Sequence, residues 1–388
     1  MVHIGRYTAA LLLIATGLAL VSDQTTDSRY LVLFIDWWPI LFIVLGLETI
    51  FLSLIYKHKG AKLRFSFGSV AGVAVITIVI LLLTNFGEEK FGDKGWRFWE
   101  NAFQQHTMPV QQVALQDGTE QIRVRNKNGK IHIRSGSVEH VRIEPIVHYP
   151  KFLPKDLAEE VEQDSRVRIT EGETLEITAE GKEYWRFFWR QKARIDLTIT
   201  IPNDEPLNVQ LELSNGDATA TELHLKDQLY IRTSNGDIQV ANIQGGLNVT
   251  TKNGDIRAVD TSSSSIMRTN NGDIVLENAS SSVDATTSNG DVEVYAPASD
   301  LYIRTNNGEI LVDSNTVGGN WQLETKNGDI SLAVPQQGSY RIRGFGKIHT
   351  SLDWLDVRRR SVAGQLVDGR YVVEVETKNG EIEIKHAP

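Results

Sequence analysis

One short phrase recurs through the second half of this chain: Thr, any residue, Asn, Gly, Asp or Glu, then Ile or Val. Its copies centre on Asn235, Asn253, Asn271, Asn289, Asn307, Asn327 and Asn379, with looser copies at Asn215 and Asn128. From Asn253 to Asn307 each step is 18 residues, and the steps Asn215 to Asn235 and Asn307 to Asn327 are 20. A fixed period in this range belongs to repeat architectures, in which one unit buries its apolar face only by stacking on the next.

Counted from each repeated Asn, positions −6 and −4 are apolar, as in Leu301 and Ile303. Positions +3 and +5 are apolar as well, as in Ile310 and Val312. A period of two on both sides describes strands with one buried face. Asn-Gly supplies residues that tolerate positive φ, as a tight turn demands. Two readings of that turn stay open. Each Asn-Gly is either the tip of a two-residue hairpin or a corner of a β-solenoid. Periodicity favours the solenoid, because a stacked coil must return to the same place while a meander tolerates loops of any length. The polar runs Thr261–Ser265 and Ser280–Ser282 then fall at opposite corners. The register breaks over Arg341–Arg360, and the copy at Val372–Lys385 is expected to close the stack, since solenoids need capped ends.

The acid after each Gly invites a metal. Calcium-binding Gly-x-Asp repeats recur every nine residues, however, and here the acid varies, with Glu309, Glu381 and Lys130 in three copies. A turn-stabilising role explains that variation better, so no metal or cofactor is expected. His132, His140, His148, His224 and His349 are scattered, and neither H-E-x-x-H nor G-x-S-x-G occurs. A polysaccharide-acting β-helix enzyme would need one special constellation of acids, whereas these are equivalent copies. The chain is therefore expected to be no enzyme. Its net charge of −9 argues against a nucleic-acid partner, which requires a basic stripe. With no cysteine, disulfides and thiolate chemistry are excluded.

Residues 1–86 are strongly apolar and the rest polar. Three apolar stretches (7–21, 30–56 and 65–84) predict three transmembrane helices crossing a lipid bilayer. A signal peptide is the alternative for the first, but no clean cleavage site follows it. Lys57, Lys59, Lys62 and Arg64 follow the second stretch, whereas Asp23 and Asp27 follow the first. Positive loops stay inside, so the N-terminus is expected in the cytoplasm and everything after residue 86 outside a bacterial cell. Residues 87–107 read as a juxtamembrane neck, and 108–388 as the β-repeat domain. The predicted fold class is thus a membrane-anchored all-β protein: three N-terminal helices, then a solenoid-like ectodomain of about 18–20 residues per coil.

Two places outside the repeats invite function. Glu48 lies within the second stretch, and an intramembrane carboxylate is costly enough to mark either a site or helix-to-helix glue. Tyr184, Trp185, Arg186, Phe187, Phe188, Trp189 and Arg190 form an aromatic and basic run suited to a membrane or partner contact, or to packing.

The segment Asp36-Trp-Trp-Pro39-Ile-Leu-Phe-Ile-Val-Leu-Gly46 resembles the transmembrane module of Lia-type envelope-stress proteins of Gram-positive bacteria, over residues 5–56. The repeated phrase, preceded by Ala193–Pro202, is similar to the bacterial putative-adhesin domain of unknown function, over residues 106–385. The second resemblance implies a β-solenoid-like fold at the cell envelope with no established enzymatic activity and no catalytic residues. The first implies association with envelope-stress signalling. Together they lead to a non-enzymatic membrane-anchored surface scaffold that contacts envelope polymer or membrane signalling proteins; the alternative is an adhesin proper, binding an external surface or glycan.

Overall fold

The computed structural model describes residues 2–4, 7, 8, 10, 11, 14, 40–56, 63–65, 103–151, 153–186 and 189–387. They fall into two compact units, Met1–Asn101 and Ala102–Pro388.

In the first unit, helix α1 (Ile40–Tyr56) begins directly after Pro39. The helix has 17 residues, about 26 Å at ~1.5 Å per residue. Among the described residues no helix is long and apolar enough to cross a membrane. Most of the first apolar stretch, nearly all of the third, and the neck up to residue 102 lie outside the described residues. Phe65, where the third stretch was expected to begin, ends a short strand, Leu63–Phe65, that pairs in parallel with Val2–Ile4.

The second unit is almost wholly β. Each coil contributes one strand leading into an Asn-Gly corner and one leading away from it. Leading strands pair in parallel with leading strands, as Val283–Thr286 with Leu301–Arg304. Departing strands pair likewise, as Ile274–Glu277 with Val292–Tyr295. The Asn residues themselves pair in register from Asn215 to Asn307, and onward to Asn327 and Asn379. Parallel pairing of successive copies excludes hairpin tips, which join antiparallel strands. The Asn-Gly turns are solenoid corners. The apolar columns expected from the period-two pattern line the space between the two sheets. Ile256, Ile274, Val292, Ile310 and Ile330 stack on one side and are buried. Leu301, Trp321 and Val373 continue the column on the other.

The second corner of each coil has its own signature. Asn242, Asp260, Asn278 and Ala296 all adopt φ between 50° and 56°. This left-handed conformation suits Asn and Asp better than most residues. The serine runs follow these positions, at the corners opposite Asn-Gly.

Both ends depart from simple sequence order. The coil at Asn128 is followed by residues 137–207, which fold back outside it. Strand Thr174–Glu180 covers its leading strand and Arg194–Pro202 its departing strand. Helix α2 (Lys155–Asp164) lies in this insertion and buries Val161. At the other end, Tyr340–Thr350 covers both strands of the last coil, Tyr371–His386. A hairpin, Asp356–Arg358 with Ser361–Leu366, then covers the first half of that cap. The copy at Asn379 is therefore an inner coil, seated between the Asn327 coil and the cap. This corrects the expectation that it closes the stack. Its apolar faces need a layer on each side, and the preceding segment supplies the outer one.

Candidate functional site

The recurring phrase is explained residue by residue at the corner. Each Thr hydroxyl donates to the Gly carbonyl of the preceding coil: Thr287 to Gly272 at 3.0 Å, Thr305 to Gly290 at 3.0 Å. Each Asn donates its Nδ2 to the Oδ1 of the Asn before it at 2.8 Å, from Asn235 through Asn379. Each Asp Oδ1 accepts the backbone N–H of the next coil's acid, as Asp273 from Asp291 at 2.8 Å and Asp291 from Glu309 at 2.7 Å. Glycine is required because coils touch there. A Cβ on Gly272 would lie 2.0 Å from the Gly254 carbonyl oxygen, and φ is +156°. The Asp copies are thus committed to backbone donors, while Glu381 pairs with Lys347. Among the described residues no group of three or more His, Asp or Glu is placed to hold a metal.

The N-terminal cap imitates a coil with different residues. Asn126 stands where Thr would and donates to the Ile195 carbonyl at 2.7 Å. Asp196 takes the ladder acid's part, accepting the Lys130 N–H at 2.8 Å. His148 Nε2 lies 2.8 Å from the other Asp196 oxygen, and Arg194 3.1 Å from it. Burial pushes the Asp196 carboxyl up. The His148 hydrogen bond, the Lys130 N–H and Arg194 together outweigh burial and hold it below the usual carboxylate range.

With the corners spent on structure, the open surface is the outer face of the leading sheet. There the residue five before each Asn forms an in-register row: Ile266, Asp284, Tyr302, Gln322 and Glu374, continued by Arg343 of the cap. A shallow groove of about 640 Å³ follows this row past Ser264, Ser282, Asp300 and Asn320. A second hollow of about 250 Å³ shares Gln322, Glu374 and Arg343 with it and ends at Phe345. Beside the row, Arg268 pairs with Asp284 and Arg304 with Glu324, both at 2.6 Å. The Glu324 hydrogen bond raises the Arg304 pKa further above its ordinary value. Arg304 also lies over the Tyr302 ring, 5.6 Å from its centroid. Sequence reasoning missed this row. Its signal is the −5 column, whose residue types differ from copy to copy.

The places singled out in the sequence fare differently. The aromatic run forms a hairpin, Glu183–Arg186 with Trp189–Lys192. Tyr184 turns inward and is buried, while Trp185 is 65% exposed. Arg190 pairs with Glu183 at 3.2 Å. Phe187 and Phe188, and the side chains of Arg186 and Trp189, lie outside the described residues. Beside the hairpin, a hollow of about 380 Å³ holds Arg125, Arg166 and Lys192 opposite Asp164, Glu180 and Glu183. With Lys127 also in its lining, it carries one more basic than acidic side chain. Glu48 is buried in the first unit, where its carboxylate accepts the Thr8 N–H at 2.9 Å and the Thr8 hydroxyl at 2.5 Å. The break Arg341–Arg360 is mostly cap. Trp354 packs edge-on to Tyr340 at 5.8 Å, Arg358 pairs with Asp356, and Arg360 lies over Phe345 and donates to the Lys378 carbonyl. Burial raises the Tyr340 phenol to about 12.

These features define a parallel β-solenoid closed at both ends by its own insertions, with a ladder of Asn-Gly corners and an open outer sheet. The chain belongs to the Toastrack DUF4097 family, whose sequence profile matches residues 156–385. No curated protein matches. Among solved structures it is similar to a "putative cell adhesion protein" from Clostridium sporogenes, at 13% identity. That match covers 73% of this chain and 100% of the other, with a TM-score of 0.26.

Proposed function

We propose that this chain is a non-enzymatic, adhesin-like surface scaffold. Residues 1–86 anchor it in a bacterial membrane with the N-terminus in the cytoplasm, and the solenoid stands outside the cell. The observation that carries the binding role is the groove on the leading sheet: long, shallow and lined along its outer row by unlike side chains that take no part in the Asn-Gly corner bonds. The corner Asp residues, by contrast, are engaged with backbone N–H groups. The anchoring rests on the apolar stretches and the positive loop Lys57–Arg64. An association with envelope-stress signalling is the accompanying proposal, and the likeness of Asp36–Gly46 to Lia-type modules favours it.

Two measurements test this. The chain has no cysteine, so Ser262→Cys at an exposed corner introduces a single thiol. It is expected to react with an impermeant maleimide on intact cells; reaction only after lysis reverses the topology. Full-length protein in detergent is expected to co-sediment with insoluble cell-wall sacculi, and its absence from the pellet would sink the scaffold reading. For the signalling proposal, deletion is expected to change envelope-stress gene expression under cell-wall antibiotics; unchanged expression refutes it and leaves the adhesin reading standing.

A further inference from the structure

We propose that the groove from Ser264 to Phe345 is a binding site for an extended, uncharged, hydroxyl-rich polysaccharide, read at about one sugar per coil. This rests on the surface-scaffold reading and specifies its ligand. The argument begins with spacing. The row Ile266, Asp284, Tyr302, Gln322, Glu374, Arg343 is in register on neighbouring parallel strands. Such strands lie ~4.8 Å apart, close to the length of one pyranose in an extended chain. The row therefore presents one side chain to each successive sugar over about 24 Å.

Chemistry narrows the ligand. Between Ile266 at one end and Arg343 at the other, the row and its rim present mainly carboxylates, amides and hydroxyls, with the half-buried ring of Tyr302 near the middle. Carboxylates and amides pair with hydroxyls through two oxygens or an oxygen and a nitrogen, and a ring offers a face to the C–H side of a sugar. Charge is balanced along the row. Asp284 is matched by Arg268, and Glu374 has Arg343 beside it in register. No basic excess exists to capture a polyanion, and a nucleic acid would require a basic stripe; of the two further acids in the lining, Asp300 and Glu376, Asp300 is spent on the Asn320 N–H, which leaves too little charge to hold a polycation. A protein partner would want a contiguous apolar or aromatic core, but Ile266, Tyr302 and Phe345 are separated by polar rows. The site is also a sheet face rather than an edge, so a peptide cannot bind there by adding a strand.

The ligand must be long, because the groove is shallow and no single subsite encloses a sugar. Affinity then grows with the number of coils spanned, and short oligosaccharides bind weakly.

The test uses full-length protein in lipid nanodiscs, titrated with hexamers and dimers of β-1,4-linked glucose and β-1,4-linked N-acetylglucosamine. At least one hexamer is expected to bind, at least tenfold tighter than its dimer. Tyr302→Ala and Gln322→Ala are each expected to weaken it at least fivefold, with thermal unfolding unchanged. Glu293→Gln, on the opposite sheet, should leave binding as it was. The same variants are then sedimented with sacculi. Retention lost in Tyr302→Ala and Gln322→Ala supports the groove even where neither hexamer binds. Retention equal to wild type in both variants overturns the groove while leaving the scaffold reading intact. Absence of wild-type retention together with absence of hexamer binding overturns both. Preference for an anionic polymer, abolished by Arg343→Ala, overturns the uncharged ligand.

Discussion

The inner coils and the two ends of the stack solve the same problem with different residues. Between Asn235 and Asn327 every corner uses the Thr-to-Gly and Asn-to-Asn bonds, and every corner whose acid is Asp adds the bond from that acid to the next N–H. At the N-terminal end, Asn126, Ile195 and Asp196 make the equivalent bonds. At the far end the cap strand slips register between Phe345 and Lys347 where it passes the last corner. A repeat specifies its own continuation but not its termination. Each coil offers donors and apolar rows to the next, and the last offer must be met by something that offers nothing further.

The largest expected effect lies in the inner coils. Gly272→Ala places a methyl 2.0 Å from a backbone oxygen that a neighbouring coil holds fixed. It is expected to cost on the order of 4 kcal/mol or more, read as a fall in the chemical-denaturation midpoint; a midpoint close to wild type would break the close-contact account of the ladder. Next comes the N-terminal cap. Asp196→Ala strands the Lys130 N–H and unpairs Arg194, for a loss of about 1–3 kcal/mol. Since folding lowers the Asp196 pKa, its contribution is complete above the ordinary carboxylate value of ~3.9. It is lost as pH falls through the lower folded value. Protection of the Lys130 amide, measured against its intrinsic exchange rate at each pH, should therefore fall in acid in wild type and be low at all pH values in Asp196→Ala. An acid response identical in both would remove Asp196 from the cap's pH dependence.

A smaller effect is expected at the threonines. Thr287→Val removes one hydroxyl from the Gly272 carbonyl, for about 1 kcal/mol. Asn126→Leu, which strands the Ile195 carbonyl at the cap, should cost at least as much. A ladder threonine costing far more than Asn126 would show that the two are not equivalent. The smallest effect is chemical. Asn-Gly deamidates when the Gly nitrogen attacks the Asn side-chain carbonyl and expels ammonia. In eight of the pairs that nitrogen donates to the Asn carbonyl of the following coil, as Gly272 to Asn289 at 3.0 Å and Gly328 to Asn379 at 3.1 Å. No following coil offers an Asn carbonyl to Gly380. During prolonged incubation at mildly alkaline pH, peptide mapping should find Asn379 deamidating first. Equal rates at all nine positions would erase this difference between inside and end.

Much of the repeat domain was legible because its determinants are local. Asn-Gly, the Thr two before it and the alternating apolar pairs all lie within about one coil of sequence. The groove was not, because its row is a column of unlike residues. Asp284, Tyr302 and Gln322 belong together only once the coils are stacked. The order of layers was hidden too. Glu374 and Arg343 are neighbours although the cap precedes the coil it covers. By itself the sequence determined the coil: its length, its corner and its buried face, each dictated by backbone geometry and side-chain period. Only the tertiary structure decided how the stack ends and which outward residues share a surface. Both depend on pairing between segments far apart in the chain, which no local pattern encodes.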